Sequence, residues 1–276
     1  MKSLAFASIL AVLAPQTKET DYGAAMAKVA ARFKGKEGVV LHIGDSITYA
    51  NPYSSWAKGG QGKTPQDEAV CKWMHVGAGD DTDGVFLCSV DRPGGRSETA
   101  VSGIKSFEFL EGGKAGIPPL AEVVKKYNPQ MVVVMLGTND LTAGRAPAQY
   151  KADMAKVIDV FLANGSIAIL STLPPCKGKD DVVKSYNAIL QELAKEKQLP
   201  LIDFGGEILK RRPTDWLGTL VSSDGVHPTA GVNGAAANSA PTEENLKNSG
   251  YLLRGWLSVR KIAEVKERVL DRAKKK

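Results

Sequence analysis

The sequence predicts an α/β fold: a central parallel sheet covered on both faces by helices. Two observations predict it. Short apolar runs rich in Val, Ile and Leu alternate along the chain with longer amphipathic stretches. Strands that read as nearly continuous apolar runs belong to parallel sheets buried on both sides. The second observation is scale. With 276 residues, 43% of them apolar and 24% charged, the chain can fill one large core. Such a composition does not suit a disordered, collagen-like or coiled-coil protein.

The elements follow in order. Met1-Lys2 and the apolar run that ends at Ala14 have the size of a secretory leader, so residues 1–20 are expected to be a signal peptide, cut after Ala14, and the protein to be exported to the periplasm or beyond. Residues 21–276 then form one domain. Tyr22–Phe33 has helical periodicity, and Val39–Ile43 reads as the first strand. Residues 50–82, rich in Gly, Asp and aromatics, read as a long inserted loop. Val85–Val90 is the second strand. Ala121–Tyr127 is a helix, and Met131–Leu136 the third strand. Pro147–Ala163 is a helix closed by the Asn164-Gly165 turn, ahead of a strand at Ile167–Leu170. Asp181–Gln198 is a helix and Leu199–Phe204 the last strand. Residues 229–250, rich in Gly, Ala, Asn and Ser, form a second loop insertion. Leu252, Leu253, Trp256, Val259, Ile262, Val265 and Val269 recur at helical spacing and make a closing helix that packs on the sheet.

The net charge of +6 is concentrated in that helix, where nine Lys and Arg face three Asp and Glu between Arg254 and Lys276. The cations are expected on its outer face and in the Lys274-Lys275-Lys276 tail, where they suit a helix C-terminus. The rest of the chain is neutral, so nucleic acid is not an expected partner. No apolar run approaches the ~18 residues of a membrane span. In an oxidising compartment Cys71 and Cys88 are close enough in sequence to pair, leaving Cys176 free; three buried thiols are the alternative.

Ligands of open parallel sheets bind beyond the carboxyl ends of the strands. The chain places Gly44-Asp45-Ser46-Ile47-Thr48-Tyr49 after the first strand and Asp91 to Ser97 after the second. Gly137-Thr138-Asn139-Asp140 follows the third strand, and Asp224-Gly225-Val226-His227-Pro228 lies beyond the last. A hydroxyl, glycine backbone, a carboxamide, a carboxylate and an imidazole are the groups acyl transfer needs. A serine becomes a useful nucleophile only when a base takes its proton. Of the three histidines, His42 lies inside a strand and reads as a satisfied core residue. His75 lies in the first insertion. His227 has Asp224 three residues before it, close enough for one tight turn to bring the carboxylate to Nδ1. Each block alone is ordinary turn or capping chemistry; the order and placement of all of them is not.

These blocks resemble those of the SGNH, or GDSL-type, hydrolases: GDSITY at 44–49, GTND at 137–140 and DGVHP at 224–228. The resemblance implies a three-layer α/β/α sandwich with a central parallel sheet, flavodoxin-like, and serine ester hydrolysis without metal or cofactor. It implies Ser46 as nucleophile, His227 as base and Asp224 as its orienting carboxylate. An oxyanion hole would be built from the Ser46 N–H, the Asn139 side chain and a glycine N–H. That glycine is expected at Gly95, whose Gly-Arg-Ser run is similar to rhamnogalacturonan acetylesterases, with Gly103 as the alternative. The expected substrate is a small or glycan ester with a short acyl group such as acetyl; a lipase-like, lysophospholipase or thioesterase activity on longer chains is the alternative. A non-catalytic carbohydrate-binding protein using Tyr53, Trp56, Trp73 and Trp216 is a third reading. Ala57 to Thr64 nearly spells a phosphate-binding loop but does not follow a strand directly, as such a loop must.

Overall fold

The computed structural model describes residues 21–84 and 97–272. Among these residues β1 (Val40–Gly44), β2 (Met131–Met135), β3 (Ile167–Ser171) and β4 (Leu201–Ile202) form one parallel sheet in that order. Every residue of β1, β2 and β3 is buried, because helices cover both faces and leave no solvated side. The register pairs Gly44 with Met135 and Val134 with Leu170, which aligns the carboxyl ends of neighbouring strands. Outside β1 the sheet is extended by a parallel bridge. The Gly44 N–H donates to the Thr99 carbonyl (3.1 Å) and the Val101 N–H to the Gly44 carbonyl (3.2 Å).

The helices are α1 (Gly23–Ala30), α2 (Ser46–Tyr49), α3 (Pro52–Gly59), α4 (Pro65–Trp73), α5 (Ser106–Glu111), α6 (Leu120–Tyr127), α7 (Thr138–Thr142), α8 (Pro147–Asn164), α9 (Asp180–Glu196), α10 (Phe204–Arg211), α11 (Glu243–Leu246) and α12 (Gly250–Val265). The expected helices at 22–33, 121–127, 147–163, 181–198 and 252–269 are thus present, with small shifts at their ends. α8 begins at Pro147, whose missing N–H costs nothing in a first turn, and stops at Gly165. Tyr150 of α8 stacks on Tyr186 of α9, with ring centres 4.3 Å apart. α12 runs on into a π-helical stretch at Lys266–Asp271 that buries Val269 and Leu270.

The structure corrects two expectations. Residues 50–82 are not a long loop, for they hold α3 and α4. Both helices start on proline. α4 also has a complete capping box, in which the Thr64 hydroxyl accepts from the Asp67 N–H while the Asp67 carboxylate accepts from the Thr64 N–H. The stretch from Ala57 to Thr64 joins α3 to α4 and follows no strand, which disposes of the phosphate-loop reading. The last strand is only two residues long because Asp203 caps α10, accepting from the Gly206 N–H, so Phe204 is helical. The expected strand at Val85–Val90, Cys88, Gly95, the signal peptide at residues 1–20 and the Lys274-Lys275-Lys276 tail lie outside the described residues. Cys71 and Cys176 are buried free thiols, and burial pushes the Cys71 thiol up to about 11.

The second insertion is largely irregular, as expected, but well tied. The Gln61 N–H donates to the Asn238 carbonyl (3.0 Å), and the Arg212 guanidinium holds the Lys247 carbonyl and the Asn248 side chain (2.9 and 2.7 Å).

Candidate active site

β1 ends at Gly44 and the chain turns at once into α2. A Cβ at Gly44 would lie 2.0 Å from the Thr48 hydroxyl and 2.9 Å from the Met135 carbonyl, so this turn has no room for a side chain. Asp45 is extended and fully buried, and its carboxylate accepts from the Ile47 N–H (2.9 Å) to cap α2. Burial works to raise the Asp45 carboxyl; the Ile47 N–H and the charge of Arg254 oppose it without cancelling it. Ser46 follows, half-buried at the carboxyl edge of the sheet.

The imidazole arrives from a turn 181 residues later. The Ser222 N–H donates to the His227 carbonyl (2.7 Å) and Val221 pairs with Pro228, which closes the turn. Inside it one Asp224 oxygen accepts from the Ser222 hydroxyl and from the Val226 and His227 N–H groups (2.7, 2.9 and 3.0 Å). The other lies 2.7 Å from His227 Nδ1. Partial burial acts to raise the Asp224 carboxyl, but these hydrogen bonds together outweigh it and hold it well below the usual carboxylate range. An ionised Asp224 fixes the proton on Nδ1. Nε2 is then free to accept from the Ser46 hydroxyl, 2.9 Å away. Ser46, His227 and Asp224 thus stand in one hydrogen-bonded line.

Asn139 is the second residue of α7, beside the Gly44 turn. Its Nδ2 lies 3.2 Å from the Asp45 carboxylate and 3.1 Å from the Ile104 carbonyl. The amide is therefore held by the residue before Ser46 and by the residue after Gly103. Asp140, next to it, is fully buried and accepts from the Ser106 N–H and hydroxyl (2.9 and 2.7 Å). This pins the 103–106 stretch against the site. Ser97 of the Gly-Arg-Ser run is buried and accepts from the Thr99 and Ala100 N–H groups, which shapes the approach to the Gly44 bridge.

His42 is only half-satisfied. Nδ1 lies 2.8 Å from the Tyr53 hydroxyl, while Nε2 makes no hydrogen bond among the described residues. Burial, with help from the charge of Arg254, pushes its pKa down to about 3. His75 bonds the Glu37 carbonyl and takes no part in the site. Tyr53 and Trp56 are buried and so unavailable for stacking on a sugar, whereas Trp73 and Trp216 are half-buried. Arg254 contradicts the expectation of an outer cationic face. It is 2% exposed, with its guanidinium on the Ile47 carbonyl (2.8 Å) and the Thr48 hydroxyl (2.7 Å). Sequence reasoning missed it because charge alone was read as solvent. The available signal was that Arg254 shares a helix face with two small residues, Gly250 and Ser258, one turn to either side of it.

Fold and site together define an α/β protein with a Ser–His–Asp line at the carboxyl edge of a parallel sheet. The GDSL-like lipase/acylhydrolase family model matches residues 42–233, and the chain belongs to that family. Thioesterase 1/protease 1/lysophospholipase L1 of Escherichia coli K12 is 30% identical over 114 residues, 41% of this chain and 52% of that protein. An arylesterase of Vibrio mimicus is 27% identical over 136 residues, 49% of this chain and 64% of that one. The chain thus spans about half the length of the E. coli relative and less than two thirds of the Vibrio one. A GDSL-like lipase from Bacteroides thetaiotaomicron shares the fold with a TM-score of 0.52 at 18% identity, covering 90% of this chain and 99% of that one.

Proposed function

We propose that this protein is a serine ester hydrolase that removes short acyl groups, acetyl foremost, from carbohydrate. The observation that carries the hydrolase reading is the unbroken line from Ser46 Oγ through His227 to Asp224, at 2.9 and 2.7 Å. Ser46 attacks the ester carbonyl while Nε2 of His227 takes its proton. The Asp224 carboxylate stabilises the imidazolium that forms, and His227 returns the proton to the leaving alcohol. Water then repeats the cycle on the acyl-serine.

The developing oxyanion takes its donors from the Ser46 N–H, from Asn139 Nδ2 and from a glycine. Nδ2 already faces two protein acceptors, so one of its N–H groups must be shared with the oxyanion as charge builds. Gly103 is the better-supported glycine, because its neighbour Ile104 accepts from Asn139; Gly95 is the competitor. Loss of one such donor costs roughly 10²–10³ in turnover. Alanine keeps each N–H but disturbs its aim, since Gly103 stands at φ +74° where a side chain is strained; Gly103→Ala and Gly95→Ala therefore separate the two, and the true donor is the one whose substitution lowers kcat.

The Gly-Arg-Ser run at 95–97 supports the acetyl-carbohydrate reading, and the apolar stretch up to Ala14 supports export. Longer acyl chains are the second reading, favoured by the name of the Escherichia coli relative. The test is hydrolysis of p-nitrophenyl esters of increasing acyl length, with acetylated xylan alongside. Acetyl preference and acetate release are expected; preference for octanoyl or longer overturns the short-acyl reading. A fluorophosphonate should label Ser46, and Ser46→Ala should abolish both labelling and hydrolysis while remaining folded. Hydrolysis by folded Ser46→Ala would overturn the nucleophile.

A further inference from the structure

Arg254 lies beneath the nucleophile, outside the stretch matched by the family model. A guanidinium is costly to bury, and it stays buried only where its donors are met. Here Nη1 holds the Ile47 carbonyl at 2.8 Å and Nη2 the Thr48 hydroxyl at 2.7 Å, and Cζ lies 3.7 Å from the centre of the Tyr53 ring. Ile47 and Thr48 are the second and third residues of the single turn that begins at Ser46. Thr48 also packs on Gly44, where β1 ends. The guanidinium therefore grips the far half of the turn whose near half carries the reacting hydroxyl.

The same helix grips the base. One turn before Arg254, the Gly250 N–H donates to the Thr229 hydroxyl (3.2 Å) and the Tyr251 N–H to the Thr229 carbonyl (3.0 Å), two residues beyond His227. Gly250 lies so close to the loop that a Cβ there would stand 2.0 Å from the Leu220 carbonyl and 2.9 Å from Pro228. α12 is thus a common ruler for two groups that meet across 2.9 Å.

We propose that Arg254 is a positioning residue for Ser46: by holding Ile47 and Thr48 to α12 it keeps the Ser46 hydroxyl in register with His227. The proposal rests on Ser46 being the nucleophile. A guanidinium meets both acceptors at once, whereas a lysine ammonium in its place reaches one. A misplacement of about 1 Å in a reacting group can cost ~10² in rate.

The experiment compares Arg254→Lys, Arg254→Met and Thr48→Val with Leu190→Ala, a cavity variant in the buried core of α9 that lowers stability away from the site. The readouts are kcat and KM on p-nitrophenyl acetate, the second-order rate of fluorophosphonate labelling, and Tm. Arg254→Met should lose ~10²-fold in kcat and in labelling rate together, with KM changed less than about twofold. Arg254→Lys should recover part of the loss, and Thr48→Val should fall between Arg254→Lys and wild type. Leu190→Ala should lower Tm and keep kcat. Wild-type kcat and labelling in Arg254→Met overturn the proposal; should that variant not fold, wild-type values in Arg254→Lys and Thr48→Val do so. Losses that merely follow Tm, as in Leu190→Ala, overturn it too. If Ser46→Ala still hydrolyses ester, the nucleophile reading has failed instead, and the two failures are told apart.

Discussion

At the residue scale, Asp224 does more by accepting than by being charged. Four donors converge on its carboxylate, and they explain why an exposed acid is held ionised against its histidine. Asp224→Asn keeps the shape but offers an amide where Nδ1–H needs an anion, so the imidazole can take the wrong tautomer. Turnover should fall by roughly 10³–10⁴-fold with KM little changed, measured on p-nitrophenyl acetate. His42 supplies a stability signal of the opposite kind. Its folded pKa of about 3 lies below the ordinary 6.5, so between those values the unfolded chain binds a proton that the folded chain refuses. Stability is therefore full above pH 6.5 and declines as pH falls toward 3. His42→Gln should flatten that decline when Tm is followed from neutral to acid pH; an unchanged slope would refute the assignment. The residues legible in the sequence were those whose chemistry is scarce: three histidines, one with an acid three places before it. Arg254 was illegible because whether a charge is buried depends on a carbonyl that reaches it from 207 residues away.

At the element scale, the apolar strands were legible because burial on both faces leaves no polar position to interrupt them. The two helices at 52–73 were not, because Gly59 at the end of the first, with Gly60 and Gly62 just beyond it, carries the composition of a loop. The local signal was Thr64-Pro65 with Asp67 three residues on. Thr64→Ala removes that box and should lower stability by about 1 kcal/mol. A Tm equal to wild type would mean the cap contributes nothing. The short β4 shows the converse limit, for an apolar run such as Leu199–Phe204 can end in a helix when an Asp within it finds an N–H to cap.

At the scale of the whole molecule, sheet order and the meeting of the blocks follow from topology. Parallel strands that end side by side bring Ser46 and Asn139 together without any contact being specified in advance. Amides of β2, flanked by strands on both sides, should exchange with solvent slowest, and those of 230–241 among the fastest; equal protection would contradict the layered core. The net charge has also changed meaning, since one of its nine cations is an internal part of the molecule. The clamp made by α12 has a consequence in time. Ser46 leaves the ribosome first; its partner follows 181 residues later, and α12, which holds both, comes after that. Closing so long a loop comes late in folding. The polypeptide should therefore stay chemically silent until α12 has been made, and acquire its reactivity in one step when that helix docks.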